Sequence, residues 1–120
     1  MFFVRAWHRH LIGQVDCFVV GESMKIYAFD DGGRSLVEVV ASADRPQVVR
    51  IPGHRGHGTK TICHKPSLTV YFVTGLYDYK SPDEERRAWN DPTIVSASIN
   101  GRADDPRAGK SWEWLFPAHK

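Results

Sequence analysis

Two short histidine clusters, far apart in the chain, contain the side chains best suited to acid/base or metal chemistry. His8 and His10 form the first cluster and are followed by Gln14, while His54 and His57 form the second. Imidazole groups titrate near neutral pH and also bind transition metals. Each cluster borders an apolar, β-branched run, so a compact β-barrel could bring both to one mouth. The sequence therefore predicts one pocket lined by residues of both clusters.

Short β-type runs separated by turn residues extend along most of the chain. The predicted strands cover residues 2–7, 15–20, 24–29, 36–40, 48–51, 59–63 and 68–74. Turn residues such as Asp31-Gly32 and Pro52-Gly53 occupy the breaks. This rhythm indicates an all-β sandwich or barrel. Residues 17–20 and 68–73 are apolar on both faces, so a second sheet or another subunit is expected to cover them.

The composition becomes more polar after Lys80. Ser81 could cap a short helix over 82–87, because acidic residues occupy its first turn. Residues 96–110 are expected to loop over the surface, with Trp112, Trp114 and Phe116 docking the end. We therefore expect one domain over 1–120, with a core over about 2–80 and a tail over 81–120.

Composition and charge limit the classes of function. The chain has 120 residues, 42% of them hydrophobic, and a formal net charge of +2 with no basic stripe for phosphates. Cys17 and Cys63 lie in apolar runs, as expected for small hydrophobic residues in a reducing compartment. No apolar run approaches the length of a membrane span. We expect a cytoplasmic protein that binds neither nucleic acid nor membrane.

Several short motifs occur along the chain in an order and spacing that match those of a known enzyme family. They are Arg-Ala-Trp-His at 5–8, Ile-Pro-Gly-x-x-x-His-Gly at 51–58, Val-Tyr-Phe-Val-Thr at 70–74, Tyr77, and Trp-Asn-Asp-Pro at 89–92. Together they resemble the dTDP-4-dehydrorhamnose 3,5-epimerases and their relatives in nucleotide-sugar and polysaccharide biosynthesis. The resemblance implies an all-β cupin, or jelly-roll β-barrel (double-stranded β-helix), with a short helical or irregular C-terminal tail. It also implies a homodimer and no cofactor. On this resemblance we expect a divergent member of the family that is shortened at its N-terminus.

The resemblance also implies roles for individual residues in the epimerisation of a dTDP-linked 4-keto-6-deoxy sugar. Such an enzyme removes a proton alpha to a ketone and returns one on the opposite face. His8 matches the catalytic base and Tyr71 the catalytic acid. Arg5 matches the residue that holds the nucleotide diphosphate, and His57 matches a histidine near the sugar.

Two further residues are candidates for substrate binding. Gln14 lies in the region where the family has a lysine that polarises the ketone. Tyr77 could stack on the base or sugar, or it could seal the barrel mouth. Asp104 and Asp105 lie in the tail, and neither is matched to the aspartate that orients the base histidine in the family.

Two alternatives remain open at this stage. His8, His10, Gln14 and His57 have a spacing suited to a metal-dependent cupin, which requires their side chains to converge within bonding distance. The second alternative is a non-catalytic sugar-nucleotide binding or subunit module, for which binding without proton exchange is expected.

Overall fold

The computed structural model describes residues 4–11, 13–63, 65–75, 80–81 and 83–115, which form nine strands. These are β1 (Val4–Arg9), β2 (Val15–Val19), β3 (Met24–Asp30), β4 (Ser35–Ala41), β5 (Val48–Ile51), β6 (Gly56–Thr61), β7 (Thr69–Val73), β8 (Glu85–Arg86) and β9 (Ser98–Ile99). The first seven correspond to the seven predicted strands. β1 and β6 differ most from prediction in their ends.

The strands form two sheets, which confirms the predicted all-β architecture. A large sheet has the order β8-β1-β6-β3-β4-β9, and a small sheet has the order β5-β2-β7. All pairs are antiparallel except β4 with β9. The described part of the chain contains no helix long and apolar enough to cross a membrane.

One core lies between the two sheets and explains the alternating pattern of β2. Cys17 and Val19 of β2 are buried with Met24 and Ile26 of β3. The prediction that a second sheet covers residues 17–20 is therefore confirmed for this face. β7 is different, because Phe72 on that strand remains 65% exposed.

A second core covers the outer face of the large sheet. Trp7 and Phe29 pack there against Trp112 and Trp114 from the end of the chain. The predicted docking of both tryptophans is thus confirmed, while Phe116 lies outside the described residues. The predicted surface loop is wrong in part, since Ile99 is 1% exposed. Its apolar residues are too irregularly spaced to indicate this burial from sequence.

The helix predicted over 82–87 is also wrong. Glu85–Arg86 forms β8 and pairs with the edge of β1, while Pro82 lies outside the described residues. The segment has no apolar stripe that a helix could bury. Pairing with β1 instead gives its backbone groups partners at an otherwise open sheet edge.

Candidate active site

An irregularity in β1 determines which of its side chains face the space between the sheets. Arg5 pairs with Thr59 and His8 pairs with His57, so the register shifts by one residue between them. Residues three apart on a regular strand point to opposite faces, but a β-bulge returns them to the same face. The bulge thus places Arg5 and His8 on one side and sends Trp7 to the outer core.

Gly58 in β6 allows this irregular strand to lie close. A Cβ atom at Gly58 would lie 2.7 Å from Ala6 Cβ and 3.0 Å from the Trp114 ring. Both distances are shorter than ordinary van der Waals contacts, so a side chain there requires its neighbours to move. The glycine after His57 therefore accommodates the bulge from within a strand.

His8 and His10 of the first cluster and His57 of the second line one cavity of about 290 Å³ between the sheets. β1 and β6 form one wall, and Tyr71 of β7 lies across from them in the small sheet. The lining residues are Arg5, His8, His10, Val15, His57, Thr59, Tyr71, Val73 and Glu84. Four residues with implied catalytic or substrate roles therefore line one space.

The three imidazole rings are stacked. The centroid of the His57 ring lies 5.1 Å from that of His8 and 5.9 Å from that of His10, with interplanar angles of 17° and 14°. Metal ligands instead direct their lone pairs at a common point. The described residues contain no group of three or more His, Cys, Asp or Glu side chains placed to hold a metal ion. Gln14 lines a neighbouring cavity of about 160 Å³.

Residues next to β8 hold His8 of β1 and His10, which follows that strand. His8 Nδ1 lies 2.9 Å from a carboxylate oxygen of Glu84, and His10 Nδ1 lies 2.8 Å from the backbone carbonyl of Asp83. The Asp83 side chain accepts hydrogen bonds from the backbone N–H groups of Leu11 and Gly13, each at 2.8 Å. The acidic segment therefore holds both the first histidine cluster and the turn that follows it.

Burial and neighbouring charges set the protonation of the cavity groups. His57 is only 9% exposed, and burial, reinforced by His8 and His10, lowers its pKa to about 4. Its Nδ1 atom is buried and has no hydrogen-bond partner among the residues that the structure describes. The hydrogen bond with His8 lowers the pKa of Glu84, while burial raises that of Tyr71. At neutral pH the cavity thus holds a neutral His57, a carboxylate and an un-ionised phenol.

Several candidate residues lie elsewhere. His54 is exposed in a turn with φ 64°, and Tyr77 falls outside the described residues. Asp104 is paired with Arg102, and Asp105 is paired with Arg107. The carboxylate that contacts His8 is therefore Glu84, a residue of the segment over 82–87 that was predicted to be a helix. A strand assignment for 84–86 would have indicated that Glu84 and Glu85 face opposite sides.

A larger cavity of about 460 Å³ continues from the first one along the groove between the sheets. The two cavities share Arg5, Thr59 and Tyr71. Lys65 and the hydroxyl-bearing Thr61 are among the further lining residues of the larger cavity. The groove therefore combines a histidine-rich end with an end that offers cationic and hydroxyl groups.

Solved structures similar to this chain define its fold class. A dTDP sugar isomerase from Desulfovibrio desulfuricans G20 matches with a TM-score of 0.69 and 21% identity, over 78% of this chain and 66% of that chain. The rmlC epimerase of Mycobacterium tuberculosis matches with a TM-score of 0.65 and 14% identity, over 83% of this chain and 57% of that chain. The fold is thus that of the RmlC-like cupins, as predicted.

Sequence similarity gives the family. The Haloferax volcanii protein named "Probable low-salt glycan biosynthesis epimerase Agl13" is 46% identical in an alignment of 89 residues that covers 69% of this chain and 57% of that protein. The Bacillus subtilis spore coat polysaccharide biosynthesis protein SpsL is 37% identical over 51 residues, which are 42% of this chain and 34% of that protein. The chain belongs to the RmlC-like sugar-nucleotide epimerase family.

The chain spans about half the length, or less, of these two curated relatives. No family model matches the sequence.

Proposed function

We propose that this protein is an epimerase that acts on a sugar nucleotide by removing a proton alpha to a ketone. The observation that carries the proposal is the shared cavity of Arg5, His8, His57 and Tyr71. The proposed substrate is a dTDP-linked 4-keto-6-deoxyhexose. This choice is supported by the family motifs and by the similarity to a chain named as a dTDP sugar isomerase.

His8 is the proposed base. Glu84 accepts a hydrogen bond from His8 Nδ1, which leaves Nε2 of a neutral ring with the lone pair. Nε2 removes the proton, the C–H bond breaks, and its electron pair moves through the new C–C double bond to the ketone oxygen. The products of this step are an imidazolium ion and an enolate.

Tyr71 is the proposed acid for the opposite face of the sugar. It lies in the small sheet, across the cavity from His8, and its side chain is about half exposed. The buried half of the side chain raises the pKa of its phenol above the usual value, so the group keeps its proton at neutral pH. The enolate carbon takes this proton as the C=O bond re-forms. The imidazolium then returns its proton to the phenolate, directly or through water. These steps invert the configuration of the substrate carbon and return His8 and Tyr71 to their starting protonation states.

Arg5 and His57 are the proposed positioning groups for the substrate. Arg5 borders both cavities, so its guanidinium can contact the diphosphate while the sugar occupies the histidine-rich end. His57 is neutral at pH 7 because of its burial. A neutral imidazole can hydrogen-bond to the ketone oxygen without adding a positive charge beside the base.

We also propose that the protein works as a homodimer. β7 is an edge strand of the small sheet, and Tyr71, Phe72 and Val73 on it are each about half exposed or more. Apolar side chains beside an open strand edge favour association. A mass twice that of the chain in light scattering is expected, and a monomer at all working concentrations would refute this part of the proposal.

The reaction is tested by proton NMR of dTDP-4-keto-6-deoxyglucose incubated with metal-stripped protein in deuterated water. We expect the signal at C3, at C5 or at both to disappear as deuterium replaces hydrogen. His8→Ala is expected to slow this exchange by about 10²- to 10⁴-fold, the usual contribution of an acid/base group. Nucleotide binding should persist in this variant.

His54→Asn is the matched control, because His54 is exposed outside the cavity and Asn tolerates its positive φ. It should exchange at the wild-type rate. Unchanged signals with folded wild-type protein would refute the epimerase proposal, and nucleotide binding without exchange would identify a binding module.

A further inference from the structure

His8 of β1 and His10, which follows that strand, line the same cavity, but their Nδ1 partners differ. His8 contacts a carboxylate of Glu84, and His10 contacts the backbone carbonyl of Asp83. A carbonyl oxygen and an ionised carboxylate can only accept hydrogen bonds. Both Nδ1 atoms are therefore donors, and in the neutral rings both Nε2 atoms carry the lone pair.

We propose that Glu84 is the positioning residue for His8, fixing its Nδ1–H tautomer and stabilising the imidazolium that forms when Nε2 accepts a proton. This inference rests on the proposed function, in which His8 is the base. Glu84 thus takes the role of orienting the base histidine. From the sequence, only Asp104 and Asp105 were considered for this role, and neither was matched to it.

Contacts on both sides hold the Glu84 carboxylate in place. Its side chain is 19% exposed, and Arg86 Nε donates to the oxygen that faces His8, at 3.1 Å. The following residues pair with β1, where Arg86 lies opposite His8. Asp83, on the other side, is hydrogen-bonded to the backbone after His10. The pairing of β8 with β1 and the turn after His10 thus hold the Glu84 carboxylate in place, so it is not free to move as a surface side chain would be.

The charge of the partner distinguishes the two histidines. The carboxylate of Glu84 can balance the positive charge that His8 acquires as a base, as the acidic partner of a catalytic histidine does in hydrolases. The carbonyl that holds His10 is neutral and gives weaker support to an imidazolium ion. Glu84 therefore selects His8, rather than His10, as the base.

The neighbouring Glu85 provides a matched control. It lies on the opposite side of β8 and binds Arg9, whose Nε lies 2.8 Å from the Glu85 carboxylate. Glu85→Gln therefore removes a carboxylate from the same two-residue strand without touching the histidine-rich cavity. Any general effect of disturbing β8 should appear in this variant too.

The tautomer is measured in ¹⁵N-histidine-labelled protein by long-range ¹H–¹⁵N NMR, without substrate. Wild-type His8 is expected to be protonated on Nδ1 in its neutral form. Glu84→Gln keeps an acceptor oxygen and should keep this tautomer, whereas Glu84→Ala should give a mixture of tautomers. Glu85→Gln should match the wild type. An unchanged His8 tautomer in Glu84→Ala would refute the inference.

Kinetics provide the second readout, with exchange at the substrate carbon measured under steady-state conditions. Glu84→Ala is expected to lower kcat by about 10²-fold or more, because the ring loses both its orientation and its counter-charge. Glu84→Gln should lower kcat less, and KM should change little in either variant. Equal loss of activity in Glu84→Ala and Glu85→Gln would overturn the positioning role. If the His8 tautomer changes in Glu84→Ala but the wild-type protein shows no exchange at the substrate carbon, the proposed function is overturned instead.

Discussion

The two faces of the large sheet differ most where β1 and β6 pair. On the outer face, Trp7 is 1% exposed and its ring centroid lies 5.1 Å from that of Trp114. On the inner face, the same strands present His8 and His57, and none of the described residues hydrogen-bonds to the buried His57 Nδ1. The outer face consists of closely packed apolar side chains, as in a stable core. The inner face buries polar imidazole groups, and such departures from apolar packing are common at functional sites.

The bulge in β1 makes this division possible. It turns Arg5 and His8 to the cavity and leaves Ala6 and Trp7 on the outer core. A regular strand would separate Arg5 from His8, because side chains three residues apart point to opposite faces. One extra residue in the ladder therefore lets the same strand form both a wall of the cavity and part of the outer core.

The largest expected effect concerns the buried histidine of the inner face. The pKa of His57 is lowered to about 4 in the folded protein, from a value near 6.5 in the unfolded chain. Between these values the unfolded state binds the proton more readily, so stability falls as the pH is lowered from about 6.5 to about 4. The loss from this group is about 3 kcal/mol.

The measurement is the free energy of unfolding of the wild type and of His57→Gln in urea from pH 7 to pH 4. The variant should lack this part of the pH dependence, whereas the exposed-site variant His54→Asn should retain it. Parallel curves for the wild type and His57→Gln would show that His57 is not held neutral by burial.

A smaller effect is expected at the boundary between the two faces. Gly58→Ala places a methyl group 2.7 Å from Ala6 Cβ, which should reduce the free energy of unfolding by about 2 kcal/mol. Ala6→Gly removes the nearest opposing atom, so the double variant should recover part of this loss. Urea unfolding of the four proteins forms a double-mutant cycle. Additive effects would contradict the proposed contact.

The sequence was sufficient to predict the regular part of this architecture. Alternating apolar residues and turn signals located seven strands, and β5 was predicted with its observed bounds, Val48–Ile51. The two histidine clusters border such runs, which led to the prediction of one pocket with residues of both, and His8, His10 and His57 do line one cavity. These features could be predicted because they depend on local periodicity.

Features set by contacts between distant residues were not predictable in the same way. Glu85–Arg86 is too short and polar to indicate a strand, and its pairing with β1 depends on an open edge elsewhere in the fold. The contact between Glu84 and His8 follows from that pairing. The bulge has no local signal either, and only the family resemblance placed Arg5 beside His8.

The smallest expected effect tests whether carboxylates on the two faces have separate tasks. Asp105 and Glu38 both bind Arg107, which lies away from the histidine-rich cavity. Asp105→Asn should reduce the free energy of unfolding by about 0.5–1 kcal/mol, because Arg107 keeps its contacts with Glu38. Exchange at the substrate carbon should stay at the wild-type rate, in contrast to Glu84→Ala. A large loss of exchange in a folded Asp105→Asn protein would mean that the tail carboxylate, and not only Glu84, supports the base. The separation between a stabilising outer face and a reactive inner face would then be wrong.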